Sequence, residues 1–559
     1  MARLTTMVKK AIHPPGYVVA SAFMSIGGFL NGHDTGCIGA VTEMPFFTST
    51  FGALSPSLRG FTVSILMLAG AIPSFFAGQL ADRFGRLAVI ATGALVFLLG
   101  AVLQGAAFHL PMFIVGRAFS GLGEGLWMAA VSVYIAEIAP SSRRGMLAST
   151  PAFMAAFGVT SGYFTCYGSI HISSSLSWRL PYIIQALAAL TLAVSCFLLP
   201  QSPRWLLFNG QREKAIAELG RLDFSAVEAE KDLLGPAAEQ QRMVAGARPG
   251  AVEGLLMIFR RQYRGRTVLA LFVLGMVQLC GIDGVLYYAP TLFAQAGLPP
   301  QTASFLASGL SAILMLLITL PAVLYGDRIP RRLSIITGGI LLTTCMTLIG
   351  ILYASNSVTT TSPARWVVII LVFVFGLAYV STWGIVSKIY ASEIQPPLTR
   401  SSANSVAQGL GFFTNWVVAI ATPVLLAESR YGAYFLFAGA TAMTVAVLAY
   451  WMPETRGLSL EDVEEAFAAM RPMGGRVGRV GSVVRRWMGR KGVGESVVVR
   501  SGTGSEEGVG PGSGGSGGNG NGNGSGSESF EMSGGILEGE GVSTSALEAG
   551  PRAVRVEGL

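Results

Sequence analysis

Long apolar runs alternate with short polar loops along most of this chain. Twelve runs come near the ~20 residues that a helix needs to cross hydrocarbon. They lie at 17–40, 58–80, 87–107, 112–135, 147–168, 181–199, 267–292, 303–325, 334–354, 366–390, 404–427 and 433–452. A helix meets its own backbone hydrogen bonds in lipid, so the pattern predicts an all-α integral membrane fold of twelve transmembrane helices. Six runs fall within 1–200 and six within 267–456. The stretch 201–266 is polar and mixed in charge, and reads as a cytoplasmic linker with helical character over 215–222 and 228–234. From 457 the chain reads as a cytoplasmic, largely disordered tail. It holds a basic stretch from Arg471 to Lys491 and a Gly/Ser/Asn-rich repeat over 501–528, too poor in apolar residues to fold.

The two sets of six echo each other. Glu137-Ile138-Ala139-Pro140 with Arg144 returns as Glu393-Ile394-Gln395-Pro396 with Arg400, an offset of 256. Asp82-Arg83-Phe84-Gly85-Arg86 returns 245 residues on as Asp327-Arg328-Ile329-Pro330-Arg331-Arg332. Pro200-Gln201-Ser202-Pro203-Arg204 returns 253 residues on as Pro453-Glu454-Thr455-Arg456. Ordered echoes at nearly one offset imply a duplicated half. In a membrane chain, duplicated halves around a central site are the architecture of a secondary transporter.

Composition agrees: hydrophobic residues are 51% of the chain, charged residues 13%, and the mean hydropathy is +0.55. The net charge of +8 does not point to nucleic acid, because of where it sits. Of 39 Lys and Arg, two lie in spans (Arg117, Lys388) and four in loops of one parity (Arg59, Arg179, Arg365, Arg430); the other 33 lie in the alternate loops and the termini. That asymmetry places both termini in the cytoplasm. The first apolar run is too long for a secretory signal and is expected to remain as helix 1. The five cysteines all fall in predicted spans, and His33 and His109 stand alone, so neither a disulfide framework, a metal site nor a cofactor motif is supported.

The loop motif Gly78 to Arg86 closes helix 2 and opens helix 3. Its glycines allow a tight turn. Its arginines can pair with acids such as Glu137 at neighbouring helix ends and hold the cytoplasmic side shut. The expected gate is Asp82, Arg83, Arg86, Glu137 and Arg144, mirrored by Asp327, Arg331, Arg332, Glu393 and Arg400.

Taken together, the motifs resemble the sugar porter family of the major facilitator superfamily. The resemblance rests on Gly32-His33-Asp34-Thr35-Gly36, the 78–86 loop, Gly116-Arg117 with Gly121, Gly123 and Gly125, and Tyr134 to Pro140 with Arg144-Gly145. It continues through Trp178 to Pro181 with Gln185, Pro200 to Leu206, Tyr287 to Pro290, and Pro453 to Gly457. It covers about 15–465. It implies two pseudo-symmetric six-helix bundles, a central substrate site and alternating access in the plasma membrane. In the family's proton-coupled members an acid matching Asp34 carries the proton and an arginine matching Arg117 modulates it.

The chain departs from this family where sugar is bound. The helix 5 glutamine is matched by Ala152, the helix 8 asparagine by Met315, the helix 10 tryptophan by Lys388, and the helix 11 polar position by Gly411, followed by Phe412. In helix 7 the stretch reads Val277-Gln278-Leu279-Cys280-Gly281-Ile282-Asp283: one glutamine is kept and an asparagine has become Asp283. An ionised group at a helix centre costs about 2.5–3.5 kcal/mol on insertion scales. Asp283 and Lys388 are therefore expected to meet each other or one substrate in the cavity. Glu124, seven residues after Arg117, is a third acid, open to a second proton site, pairing with Lys388 or a local structural bond. The expected substrate contacts are Gln278, Asp283, Tyr287, Tyr288 and Lys388. The expected partners are protons, the bilayer and a sugar or related polyol or sugar acid. A non-transporting nutrient sensor on the same scaffold is the competing reading.

Overall fold

The computed structural model describes residues 14–140, 143–224, 229, 253, 256–298, 301–325, 329–359, 362–396, 399–456 and 467. The predictions for Asp327, for a helix at 228–234 and for the tail beyond 457 fall outside the described residues, Phe467 and the isolated position 229 excepted.

Every regular element among the described residues is a helix. The first half holds α1 (Gly16–Met24), α2 (Ile26–Val41), α3 (Pro45–Phe51), α4 (Pro56–Phe84), α5 (Arg86–Gly105), α6 (Leu110–Ile138), α7 (Arg144–Ala148), α8 (Thr150–Ser169) and α9 (Leu176–Leu198). Two short helices follow, α10 (Pro203–Phe208) and α11 (Arg212–Arg221). The second half holds α12 (Arg264–Gln278), α13 (Ile282–Tyr287), α14 (Ala289–Gln295), α15 (Gln301–Tyr325), α16 (Arg331–Ala354), α17 (Ala364–Ser381), α18 (Trp383–Glu393), α19 (Arg400–Glu428) and α20 (Gly432–Trp451).

Ten helices are long and apolar enough to cross a membrane, counting α12 with α13 and α17 with α18 as single spans. The other two expected spans are α1–α2, interrupted only at Ser25, and the glycine-containing α8. Large apolar side chains such as Leu187, Phe197, Leu317 and Ile370 stand exposed on the outside. So broad an apolar exterior suits contact with lipid.

Local chemistry sets the helix ends. Ser55 accepts the amide of Leu58 and Pro56 opens the first turn of α4. That helix turns into α5 through one residue, Gly85, at φ 97°. Gly281, at φ 88°, breaks the seventh span, and Tyr288 breaks it again. The tenth span breaks at Thr382, with φ −124° and ψ −75°. Hydropathy runs unbroken through both regions, so single long helices were the expectation there; the breaks are backbone events.

Small residues draw the helices together. Gly28, Gly32 and Gly36 of α2 face the carbonyl oxygens of Pro151, Ala155 and Val159 of α8 at a matched spacing of four, each too close for a Cβ. This is small-residue packing as membrane helices use it. The first half packs α2 on α8, and α4 and α5 on α6; the second packs α16 on α20 and α12 on α19. The halves meet where α4 lies along α19, α8 along α15, and α2 on α13.

Candidate functional site

The deepest charges form a closed pair. Arg117 of α6 donates from Nη1 to Asp34 Oδ1 (2.9 Å) and from Nη2 to Asp34 Oδ2 (3.1 Å). Both are essentially inaccessible, at 0% and 1% exposure. Nη2 also donates to the Val63 carbonyl (2.8 Å), and Gln185 Nε2 donates to Asp34 Oδ1 (3.4 Å). Two-point pairing of a guanidinium with a carboxylate fixes both planes. Neither residue lines the central cavity, but Asn31 and Thr35, on adjacent positions of the same helix, do. The ion pair therefore lies outside the cavity lining, on the helix whose Asn31 and Thr35 form part of that lining.

Glu124 is wholly buried two turns along α6 from Arg117. Asn31 Nδ2 donates to its Oε1, and its Oε2 has no partner. It makes no ion pair with Lys388 among the described residues, so that alternative does not hold; Asn31 takes the contact instead.

The cavity, about 220 Å³, lies between the halves. Ala152, Ala156 and Met315 leave much of its wall apolar, while Gln278, Asp283 and Lys388 reach it from the second half. Asp283 is 9% exposed, whereas Lys388 is exposed, with its free surface facing a cavity deep inside the protein. No ion pair closes between them within 4.0 Å. Asn415 of α19 faces Asp283, and both Asp283 Oδ2 and Asn415 Oδ1 lack a hydrogen-bond partner. Tyr379 Oη donates to Gln278 Oε1 (3.4 Å).

Gln408 and Asn415 were not anticipated. They lie three residues before and four after Gly411, hence on its face of α19, and both line the cavity. Matching one position at a time saw only the glycine; helical spacing carried the signal. Tyr287 lines the cavity as expected. Tyr288 does not: the break after α13 turns it away, its hydroxyl donates to the Ala419 carbonyl (2.9 Å), and Arg59 stacks on its ring at 5.2 Å.

That stacking belongs to a second cluster the sequence did not disclose. Arg59 pairs with Glu43 and donates to Thr42 Oγ1 (3.2 Å) and to Thr291 Oγ1 (3.1 Å); Thr291 donates to Glu43 Oε1 (3.2 Å). It ties the first half to α14 of the second. Its one sequence signal was that Arg59 is among the four basic residues in the loops of that parity.

At the opposite end the duplicated motifs build duplicated clusters. Arg86 Nε and Nη2 donate to Glu137 (3.0 and 2.9 Å), Arg86 also pairs with Asp82 (2.7 Å), and Ser202 Oγ donates to Glu137 Oε2 (2.5 Å). In the second half Arg331 donates to Glu393 (3.4 and 3.0 Å) and Thr455 Oγ1 to Glu393 Oε2 (2.9 Å). Glu454 accepts the amides of Arg331 (2.8 Å) and Arg332 (3.1 Å), capping α16. Arg332 reaches the Ala449 carbonyl (2.6 Å). Besides Arg332, three expected gate arginines do not join the glutamate of their half. Arg83 is exposed and stacks on Phe84 at 5.3 Å, Arg144 makes no ion pair among the described residues, and Arg400 donates to the Gln395 carbonyl (3.2 Å). Each carboxylate is already engaged by an arginine and a hydroxyl.

The profile of the family described as "Sugar (and other) transporter" matches residues 20–467, four-fifths of the chain. The chain belongs to that family and is a multi-pass membrane protein. It is 29% identical over 480 residues to Sugar transport protein MST7 of Oryza sativa subsp. japonica, covering 81% of this chain and 92% of the relative. It is 31% identical over 448 residues to MFS-type transporter criB of Aspergillus cristatus, covering 79% and 91%. Among solved structures it resembles the major facilitator proton:xylose symporter XylE bound to 6-bromo-6-deoxy-D-glucose, with a TM-score of 0.68 and 24% identity over 80% of this chain and 99% of the other. An inward-open form of XylE from E. coli aligns with a TM-score of 0.66. The shared fold is the twelve-helix major facilitator fold of two pseudo-symmetric bundles.

Proposed function

We propose that this protein moves a sugar or sugar-like polyhydroxylated solute across the plasma membrane by alternating access, in symport with a proton. The observation that carries the coupling is the Asp34–Arg117 pair, buried and on the helices beside the cavity but outside its lining. Asp34 is the proton carrier: as a carboxylate it is held by Arg117, and on protonation it releases the guanidinium to its other acceptor, the Val63 carbonyl. Gln278, Asp283, Tyr287 and Lys388 form the solute site, joined by Gln408 and Asn415. Both termini are cytoplasmic, as the 33-to-4 split of loop charges requires. The Glu137 and Glu393 clusters then lie on the cytoplasmic side and the Arg59 cluster on the outer side. The kinship with named sugar transport proteins and the likeness to a proton:xylose symporter support this reading. No nucleophile–base constellation suggests an enzyme.

Purified protein in liposomes, with an inward proton gradient and a panel of labelled hexoses, pentoses, polyols and sugar acids, tests the proposal. At least one solute should accumulate above its equilibrium level, and a protonophore should abolish that accumulation. A protein that binds a member of the panel and moves none of them would be the sensor instead.

A further inference from the structure

An acid and a base face the same cavity without closing an ion pair. Asp283 is nine-tenths buried, and Lys388 stands across from it with its surface free. No ion pair joins them within 4.0 Å, and no other acid pairs with Lys388 among the described residues. Beside Asp283, two acceptor oxygens, its own Oδ2 and Asn415 Oδ1, lack partners. Much of the surrounding wall is hydrocarbon, from Val277, Ile282, Ala312 and Met315. Charges in such a setting are strongly disfavoured unless each is matched.

Possible occupants differ in what they leave unmatched. A neutral sugar offers both charges only hydroxyl dipoles. A lone anion satisfies Lys388 and sets its charge near Asp283, whereas a lone cation does the reverse. A solute with a cationic nitrogen at one end and a carboxylate at the other matches both groups and leaves the cavity neutral. The nitrogen's hydrogens also suit the acceptors beside Asp283. The amides of Gln278 and Gln408, on the same cavity wall, suit hydroxyls between the two ends.

We propose that the solute is a zwitterion on a hydroxylated frame, an amino-sugar acid or its like, with its ammonium at Asp283 and Asn415 and its carboxylate at Lys388. This deepens the transport reading and rests on the same cavity.

The test is titration of the purified full-length protein in nanodiscs with four probes on one pyranose frame: D-glucose, D-glucosamine, D-glucuronate and 2-amino-2-deoxy-D-glucuronate. The zwitterion, 2-amino-2-deoxy-D-glucuronate, should bind tightest. Lys388→Gln should weaken it about tenfold or more and make D-glucosamine the preferred probe; Asp283→Asn should do the same in favour of D-glucuronate. The double variant D283N/K388Q, which leaves no lone charge to destabilise the fold, should prefer D-glucose. D-glucose binding the unmodified protein as tightly as 2-amino-2-deoxy-D-glucuronate would overturn the proposal. So would single variants that weaken all four probes equally, since that marks a structural role. Accumulation in proteoliposomes is read separately. If no solute accumulates there while the binding order holds, the transport reading fails and this one stands; accumulation of neutral hexoses alone gives the reverse.

Discussion

Gly39 lies where the two halves touch, on the side that the proposed topology places outside. A Cβ there would overlap the carbonyl oxygen of Tyr287 and sit 2.6 Å from its carbonyl carbon, and no other residue is among its three nearest atoms. Both obstacles are backbone of α13, which cannot swing aside as a side chain can. Gly39→Ala therefore leaves the first half intact and penalises only states in which α2 and α13 are in contact. Overpacking of this kind costs about 1–3 kcal/mol, which moves a two-state equilibrium by about 5–150-fold. The outward-open form should gain that population. In double electron–electron resonance, spin labels at the outer ends of α2 and α14 should show a longer distance becoming dominant. Turnover in proteoliposomes should fall by a similar factor, while solute binding from outside should hold or tighten. Gly32→Ala is the contrast: its Cβ would overlap Ala155 within the first half. It should lower thermal stability without shifting the distance distribution. An unchanged distribution in Gly39→Ala, or the same shift in both variants, would refute the reasoning.

Asp34→Asn should abolish uptake against a gradient and leave counterflow exchange measurable, because exchange need not carry a proton; normal accumulation would remove Asp34 from the proton path. Arg59→Ala releases Glu43, Thr291 and the Tyr288 ring together, so a cysteine at the outer end of α2 should react faster with a membrane-impermeant thiol reagent, and an unchanged rate would show that the cluster seals nothing. Glu393→Gln removes the carboxylate that Arg331 meets at 3.0 Å; breaking a buried pair costs about 3–5 kcal/mol, less here because Glu393 is one-third exposed. The thermal midpoint should fall, and Glu137→Gln should match it if the two clusters are equivalent.

Much of the scaffold was legible because lipid imposes a length and a polarity on every crossing. Span positions, loop charges and the duplicated motifs follow from that constraint alone. The geometry even extends the echo: Ser202 and Thr455, 253 residues apart, each place a hydroxyl on the glutamate of their half. What stayed hidden depends on where backbones bend and which acceptors are already occupied. Hydropathy continues through Gly281, Tyr288 and Thr382, so the breaks that aim Tyr287 and Tyr288 in opposite directions had no apolar signature. Arg83 and Arg144 carry the motif's residue types, but Arg86 and Ser202 occupy the one carboxylate available to them. The Arg59 cluster joins residues from 42 to 291 through single contacts, a combination that no local pattern announces.

The placement of the ionisable groups assigns different tasks to them. Asp34 and Arg117 are paired to each other and do not line the cavity; in the proposed function a proton on Asp34 changes the pair without direct solute contact. Asp283 and Lys388 sit in the opposite condition, in the cavity and open to each other across it, where an occupant changes their surroundings most. Asn31 lies between the two systems, lining the cavity while donating to buried Glu124, two turns from Arg117 on the same helix. A solute pressing on Asn31 thus has a physical route toward the helix that holds the proton pair. Coupling needs such a link, because proton and solute can only share one conformational equilibrium if each binds its alternatives differently. In the proposed function Glu124 and Asn31 would supply it, with Asp34 kept out of the cavity lining.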